Sequence, residues 1–184
     1  MSDRRQLIAD TSLAIIGTDG IRALTHHRID DDAGLPRGST SYYCRRRVDI
    51  LREALVRLYE LDLSDLQAAA ATLDPAAFDP AAARAAVAEL VHGWLEGDAR
   101  TRSIARIELF MAASHEPELH PLMTEQLAGM RTAALPFVAR ADGAGARRIG
   151  AAFMLTEGLV LAVLREGRPA PSAAQVGELL ALLD

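Results

Sequence analysis

The 184-residue sequence has one cysteine, no lysine, few aromatics and no long apolar run, and each scarcity excludes something. Cys44, being alone, cannot form an intrachain disulfide, so the fold must rest on a packed core, and a reducing compartment is expected. No apolar stretch reaches the ~18 residues of a membrane-spanning helix, and the N-terminus carries no signal-peptide pattern. A soluble, cytoplasmic chain with no membrane partner is therefore expected. Aromatics make up only 4% of the residues while Ala and Leu abound, a balance that favours helices over sheets. All 20 basic residues are Arg, which reads as codon usage more than chemistry, although Arg suits phosphate binding. The chain has no Gly-rich phosphate loop, no Glu-x-x-His pair suited to a di-iron bundle, and no Ser or Cys nucleophile in a recognisable setting. Nothing supports an enzyme, and no cofactor is expected.

What is present is concentrated between Thr25 and Leu51. Thr25 can cap a first short helix by accepting a backbone N–H, and Ala33-Gly34 can close it, since Gly tolerates the left-handed backbone of a C-terminal turn. Leu35 is an apolar plug in the turn, and Pro36 stands where a new helix can begin with its φ already fixed. The next segment, 37–44, holds one Arg, several hydroxyls and two Tyr, and almost nothing bulky and aliphatic. Such a helix makes a poor core element and a good surface for phosphates and base edges. Two short helices joined by a Gly-containing turn, the second of them polar, form the helix-turn-helix pattern.

The net charge of −5 divides unevenly. Residues 1–61 hold ten Arg against nine Asp/Glu, a balance of +1, and residues 62–184 hold ten against sixteen, a balance of −6. Arg37, Arg45, Arg46 and Arg47 cluster at the polar helix, and the local patch decides phosphate attraction. The Asp30-Asp31-Asp32 run is expected on the solvent side of the first helix of the motif.

The run Gly20, Leu24-Thr25, Ile29, Ala33-Gly34-Leu35-Pro36-Arg37-Gly38-Ser39, Tyr42-Tyr43, Arg47 and Leu51 resembles the N-terminal domain of TetR-family regulators. The match covers about the first 60 residues. It departs from the family pattern at Asp30–Asp32, at Ser41 where Tyr is usual, and at Cys44 where Phe is usual. The resemblance implies DNA contacts from Thr25, Arg37, Gly38, Ser39, Ser41, Tyr42, Tyr43 and Arg47. Simpler roles stand beside these. Thr25 would be only a cap, Arg37 and Arg47 solvated charges, Gly38 a tolerated Gly, and one tyrosine packed on the opening helix. Thr40 is expected to face the core.

The rest reads as helix, with no strand signal and no repeat. Helices are expected over 3–18, 46–70, 81–96, 100–114, 118–139 (bent at Pro136), 144–165 and 172–183. The fold class is thus all-α: a helix-turn-helix DNA-binding domain over 1–48, then a helical effector-binding and dimerisation domain over 49–184. The last two expected helices are more apolar than one buried stripe requires. Phe153, Leu155, Gly158, Leu159, Ala162, Val176, Leu179, Leu180 and Leu183 are either internal core or a two-fold interface, and the resemblance favours the interface. His92, Trp94, Phe110, Met111, Met123, Met130 and Phe137 either pack in the core or line the effector cavity that the resemblance implies. The His115-Glu116-Pro117-Glu118-Leu119-His120 segment has its His residues five apart across a Pro and reads as a turn, so no metal site is expected.

The expected function is a homodimeric transcriptional regulator, a repressor, on a pseudo-palindromic double-stranded operator, released by a small-molecule effector. The alternatives are a DNA-binding regulator without a small ligand, and a helical small-molecule- or metal-binding protein with a vestigial helix-turn-helix.

Overall fold

The structure is a computed structural model describing residues 3–74, 76–138 and 143–183, the side chains of 143–146 and 183 excepted. Among the described residues it is all helix, with no strand. The elements are α1 (Asp3–Asp19), α2 (His26–Asp32), α3 (Ser39–Tyr43), α4 (Arg47–Ala70), α5 (Pro80–Gly93), α6 (Gly97–Ser114), α7 (His120–Ala133), α8 (Gly143–Arg165) and α9 (Ala173–Leu180). Short 3-10 turns lie at Ile21–Ala23, Pro117–Leu119, Leu135–Phe137 and Ala181–Leu183. None of the described helices is long and apolar enough to cross a membrane.

Packing divides the chain into two compact units, Met1–Leu61 with Arg100–Glu125, and Asp62–Ala99 with Gln126–Asp184. This division runs through α4 and returns residues 100–125 to the first unit, where a split at residue 48 would place them in the second.

The first unit closes around Ile8, Ile15 and Ile16 of α1, Leu24, Ile29 of α2, Leu51, Leu55 and Leu58 of α4, and Leu109 of α6, all buried. Close approach fixes one residue in this core. A Cβ on Gly17 would lie 2.3 Å from the Thr101 carbonyl oxygen, so only Gly lets these two backbones meet. The buried Ser12 hydroxyl donates to the Ile8 carbonyl at 2.7 Å, which removes the cost of hiding it. Cys44 is fully buried, and burial first, then Glu53, pushes its thiol up to about 11.

In the second unit, Asp79 caps α5 by accepting from the Ala81 N–H at 2.8 Å, with Pro80 at the first helical position. Ser172 and Gln175 form a reciprocal capping box at α9. Helices α5 and α9 pack together, with Ala83, Ala88 and Val91 of α5 and Val176 and Leu180 of α9 buried. The single helix expected over 118–139 is interrupted. It runs from His120 only to Ala133, and Pro136, lacking an N–H, sits in the following 3-10 turn.

Candidate nucleic-acid interface and body cavity

The helix-turn-helix is built by local rules and completed by one tertiary contact. The Thr25 hydroxyl accepts from the Arg28 N–H at 3.2 Å and starts α2. At its end the Leu35 N–H reaches the Asp30 carbonyl at 2.8 Å and the Gly34 N–H reaches that of Asp31 at 3.3 Å, with Gly34 at φ 62°. This is the paired closing pattern that a left-handed residue after the helix permits.

The start of α3 has no such local help. Its cap position is Gly38, at φ 89°, which has no side chain to accept the free N–H groups. Asp30 supplies the acceptor from α2. Its carboxylate takes the Gly38 N–H at 2.7 Å, the Thr40 N–H at 2.8 Å and the Thr40 hydroxyl at 2.6 Å. The expectation that Asp30 faces solvent is therefore corrected: it is 0% exposed, as is Thr40. A polar α3 cannot bury a stripe of its own, so a charged hydrogen-bond clamp seats it. Burial raises the Asp30 pKa, but the Thr40 and Gly38 donors together hold it below the usual carboxylate value. Asp31 and Asp32 are exposed, and Asp32 pairs with Arg28, which also reaches Asp19.

The anchored α3 presents Arg37, Ser41 and Tyr42 as exposed groups, Tyr42 at 80%. Other residues expected at the interface are engaged within the protein. Tyr43 is half-buried, meets Tyr42 edge-to-face at 5.1 Å, and has the Arg5 guanidinium of α1 over its ring at 5.8 Å. Tyr43 thus packs toward the opening helix, and Tyr42 stays exposed beside it. The Ser39 hydroxyl donates to the Pro36 carbonyl, and the Gly38 N–H is taken by Asp30. Arg47 donates to the Leu24 and Ile21 carbonyls, each at 2.7 Å, fastening the chain ahead of α2 to the start of α4. Thr25 keeps an exposed position with its oxygen occupied as a cap.

Sequence reasoning missed four contacts here. The His26 ring Nε2–H donates to the Cys44 carbonyl at 2.8 Å, pinning the end of α3 to α2. Glu118 pairs with Arg46 at 2.9 Å, and Asp49 caps the Arg46 N–H at 2.8 Å, so Arg46 of the basic cluster is already held. Glu108 of α6 accepts the Ile21 N–H. Only the Asp49 contact, three residues on from Arg46, had a sequence signal. Among the described residues no group of three His, Cys, Asp or Glu could hold a metal ion.

In the second unit, a cavity of about 580 Å³ is walled by Leu66, Phe78, Val87, Leu90, Val91, Trp94, Phe137, Ile149 and Phe153. Arg84 of α5, Arg148 of α8 and Thr156 also line it. The Trp94 indole N–H donates to Asp65 at 3.0 Å, and the Thr156 hydroxyl donates to the Ala152 carbonyl at 2.9 Å. Of the seven residues expected around a cavity, Trp94 and Phe137 line this one. Met130 packs in the adjoining cluster with Leu66 and Ile149. The His92 ring bonds the Pro171 carbonyl at 2.9 Å. Phe110 and Met123 pack instead against the first unit's core, and Met111 is 61% exposed. Helical spacing marks an inward face but does not say which core it meets.

On α8 the exposed apolar groups are Met154 at 70%, Gly158 and Leu161 at 48%, spaced four and three apart as one stripe. Leu179 of α9 and Leu182 of the following turn are exposed too, and that turn packs on α8. Of the apolar set named from sequence, Gly158 and Leu179 face outward, while Leu155, Leu159 and Ala162 are half-buried. Val176 is buried, Phe153 and Leu180 line the cavity, and the Leu183 side chain lies outside the described residues. Met154, Leu161 and Leu182 went unnamed, although the three-four spacing that carries the α8 stripe is visible in the sequence.

Residues 78–183, more than half of the chain, match the family described as tetracyclin repressor-like, C-terminal domain. Among solved structures, the multidrug binding protein EbrR complexed with ethidium is 29% identical, with a TM-score of 0.76, covering 100% of this chain and 99% of its own. The same protein complexed with imidazole is 29% identical at a TM-score of 0.74, covering 100% and 96%. A member of the TetR family from Streptomyces coelicolor A3 is 28% identical at a TM-score of 0.78, covering 98% of each chain. Comparison with curated proteins gave no match.

Proposed function

This chain belongs to the TetR family of transcriptional regulators, and from that premise we propose that it is a cytoplasmic, homodimeric repressor released from its operator by a small molecule. Residues 1–48 would bind DNA, and residues 49–184 would bind the effector and dimerise. The observation that carries the reading is the seating of α3. A helix too polar to belong to a core is held by a buried carboxylate so that Arg37, Ser41 and Tyr42 project outward. Arg reads guanine edges and phosphates, and Ser and Tyr hydroxyls suit phosphate oxygens. Two such helices in a two-fold dimer would enter major grooves about 34–36 Å apart. The outward stripe of Met154, Gly158 and Leu161 on α8, with Leu179 and Leu182, supports the dimer, since a contiguous exposed apolar face favours association. The cavity supports the effector, as do the small-molecule complexes of EbrR. A ligand there acts only through its different affinity for the DNA-bound and free states.

The test is fluorescence anisotropy with DNA from upstream of the protein's own gene at two salt concentrations. One dimer per site, binding that weakens steeply with salt, and loss of binding in an Arg37→Ala, Tyr42→Ala double variant are expected. Binding untouched by the double variant would sink the contact assignment.

A further inference from the structure

The polar side chains around the body cavity are either engaged within the protein or exposed. Four of the chain's eight aromatic side chains, Phe78, Trp94, Phe137 and Phe153, line it, and the remaining walls are mostly aliphatic. Among the described lining residues, Arg84, Trp94, Arg148 and Thr156 are those with polar side chains, and none is a carboxylate. The Trp94 indole donates to Asp65 at 3.0 Å, and the buried Thr156 hydroxyl donates to the Ala152 carbonyl at 2.9 Å. Arg84 has its partner within the protein. Arg148 is exposed, and an ion pair made in contact with water is worth little. A ligand that brings a charge gives up hydration on entering and meets no buried side chain placed to replace it. An uncharged aromatic body loses little and gains twice, from apolar burial and from contact between rings. The volume of about 580 Å³ lies in the range of small-molecule sites.

We propose that the cavity takes an uncharged aromatic molecule, held by burial and ring contacts with no ion pair. The inference rests on reading this cavity as the effector site and adds the ligand's chemical class.

Trp94 is the chain's one tryptophan and lines the cavity, so energy transfer from it to a bound pyrene reports occupancy at this site. Pyrenemethanol, pyrenecarboxylate and pyrenemethylammonium share one ring body and differ in charge. Each would be titrated against the full-length protein below its own aggregation limit, with DNA anisotropy followed in parallel. Pyrenemethanol should bind at least about tenfold more tightly than either ion, because a charge without a partner costs that much or more. Arg148→Gln, at an exposed position, should fold normally by circular dichroism and leave all three affinities within about twofold. Phe153→Leu keeps an apolar wall but removes a ring, and it should weaken pyrenemethanol about threefold or more.

Either ion matching pyrenemethanol on the wild type would overturn the inference. So would a carboxylate affinity that falls about tenfold in Arg148→Gln, or a pyrenemethanol affinity indifferent to Phe153→Leu. If all three bind equally and all release DNA, the preference for an uncharged ligand falls and the ligand-released regulator stands. Selective binding of pyrenemethanol with DNA still held supports the inference and removes the release mechanism. Absence of energy transfer to every pyrene overturns the inference and takes the cavity away as support for an effector.

Discussion

The two compact units spend their apolar residues differently. Of the twelve largest fully buried side chains among the described residues, all but Leu95 lie in the first unit. The second unit has aromatic walls around about 580 Å³ of open space, and its aromatics are half-buried or exposed. The first unit must hold a five-residue helix in one place, and a filled aliphatic core with satisfied polar clamps does that, since close-packed interiors resist displacement. The second forgoes that packing, and the contacts missing from its interior are those a ligand could supply.

The comparison breaks most readily through stability. Leu55→Ala, in the filled core, should cost about 3 kcal/mol in urea unfolding, whereas Leu90→Ala, on the cavity wall, should cost about 1 kcal/mol or less. Equal costs would erase the distinction between the units.

Asp30→Ala should cost about 2–3 kcal/mol, because it strands the Gly38 and Thr40 donors, and should weaken DNA binding with Arg37 and Tyr42 intact. Its pH signature follows from the sign of the shift. The folded pKa lies below the unfolded one, so this contribution is complete above about pH 4 and fades as pH falls through the depressed folded value. The wild type should therefore lose stability below about pH 4 more steeply than Asp30→Ala. Parallel acid profiles would show that Asp30 is not the clamp.

The Arg37→Ala, Tyr42→Ala variant should lose about a hundredfold in operator affinity, at roughly 1–3 kcal/mol for a well-made base contact. Its melting temperature should barely move, since both side chains are exposed. A large melting shift would make the pair structural. The last expected effect is chemical. Cys44, buried with its thiol pushed up to about 11, should react with a disulfide reagent about a hundredfold more slowly in the native protein than in the unfolded chain. Equal rates would mean that the first unit opens freely.

The helix-turn-helix was legible because its signals are local. The Thr25 cap, the Gly34 turn and the polar composition of residues 37–44 each act within a few residues. The all-α class followed from periodicity and from the lack of strand patterns. The cavity was legible only in part. Trp94 and Phe137 were among the residues left open between core and cavity and line it, but Phe110 and Met123, from the same set, belong to the other core.

By itself the sequence determined where most helices begin and end to within a few residues, though not the end of the one expected over 118–139, which of them is too polar to be core, and which family pattern the first 60 residues follow. Those properties depend on caps, turns and side-chain period, all short-range. Tertiary structure alone decided that Asp30 is buried while Asp31 and Asp32 are not. It also decided that Arg47 and Arg46 are held by carbonyls and by Glu118, and that two arginines far apart in the chain line one cavity. Each of these turns on which helix lies across from which. That is set by the packing of distant segments, and no spacing along the chain encodes it.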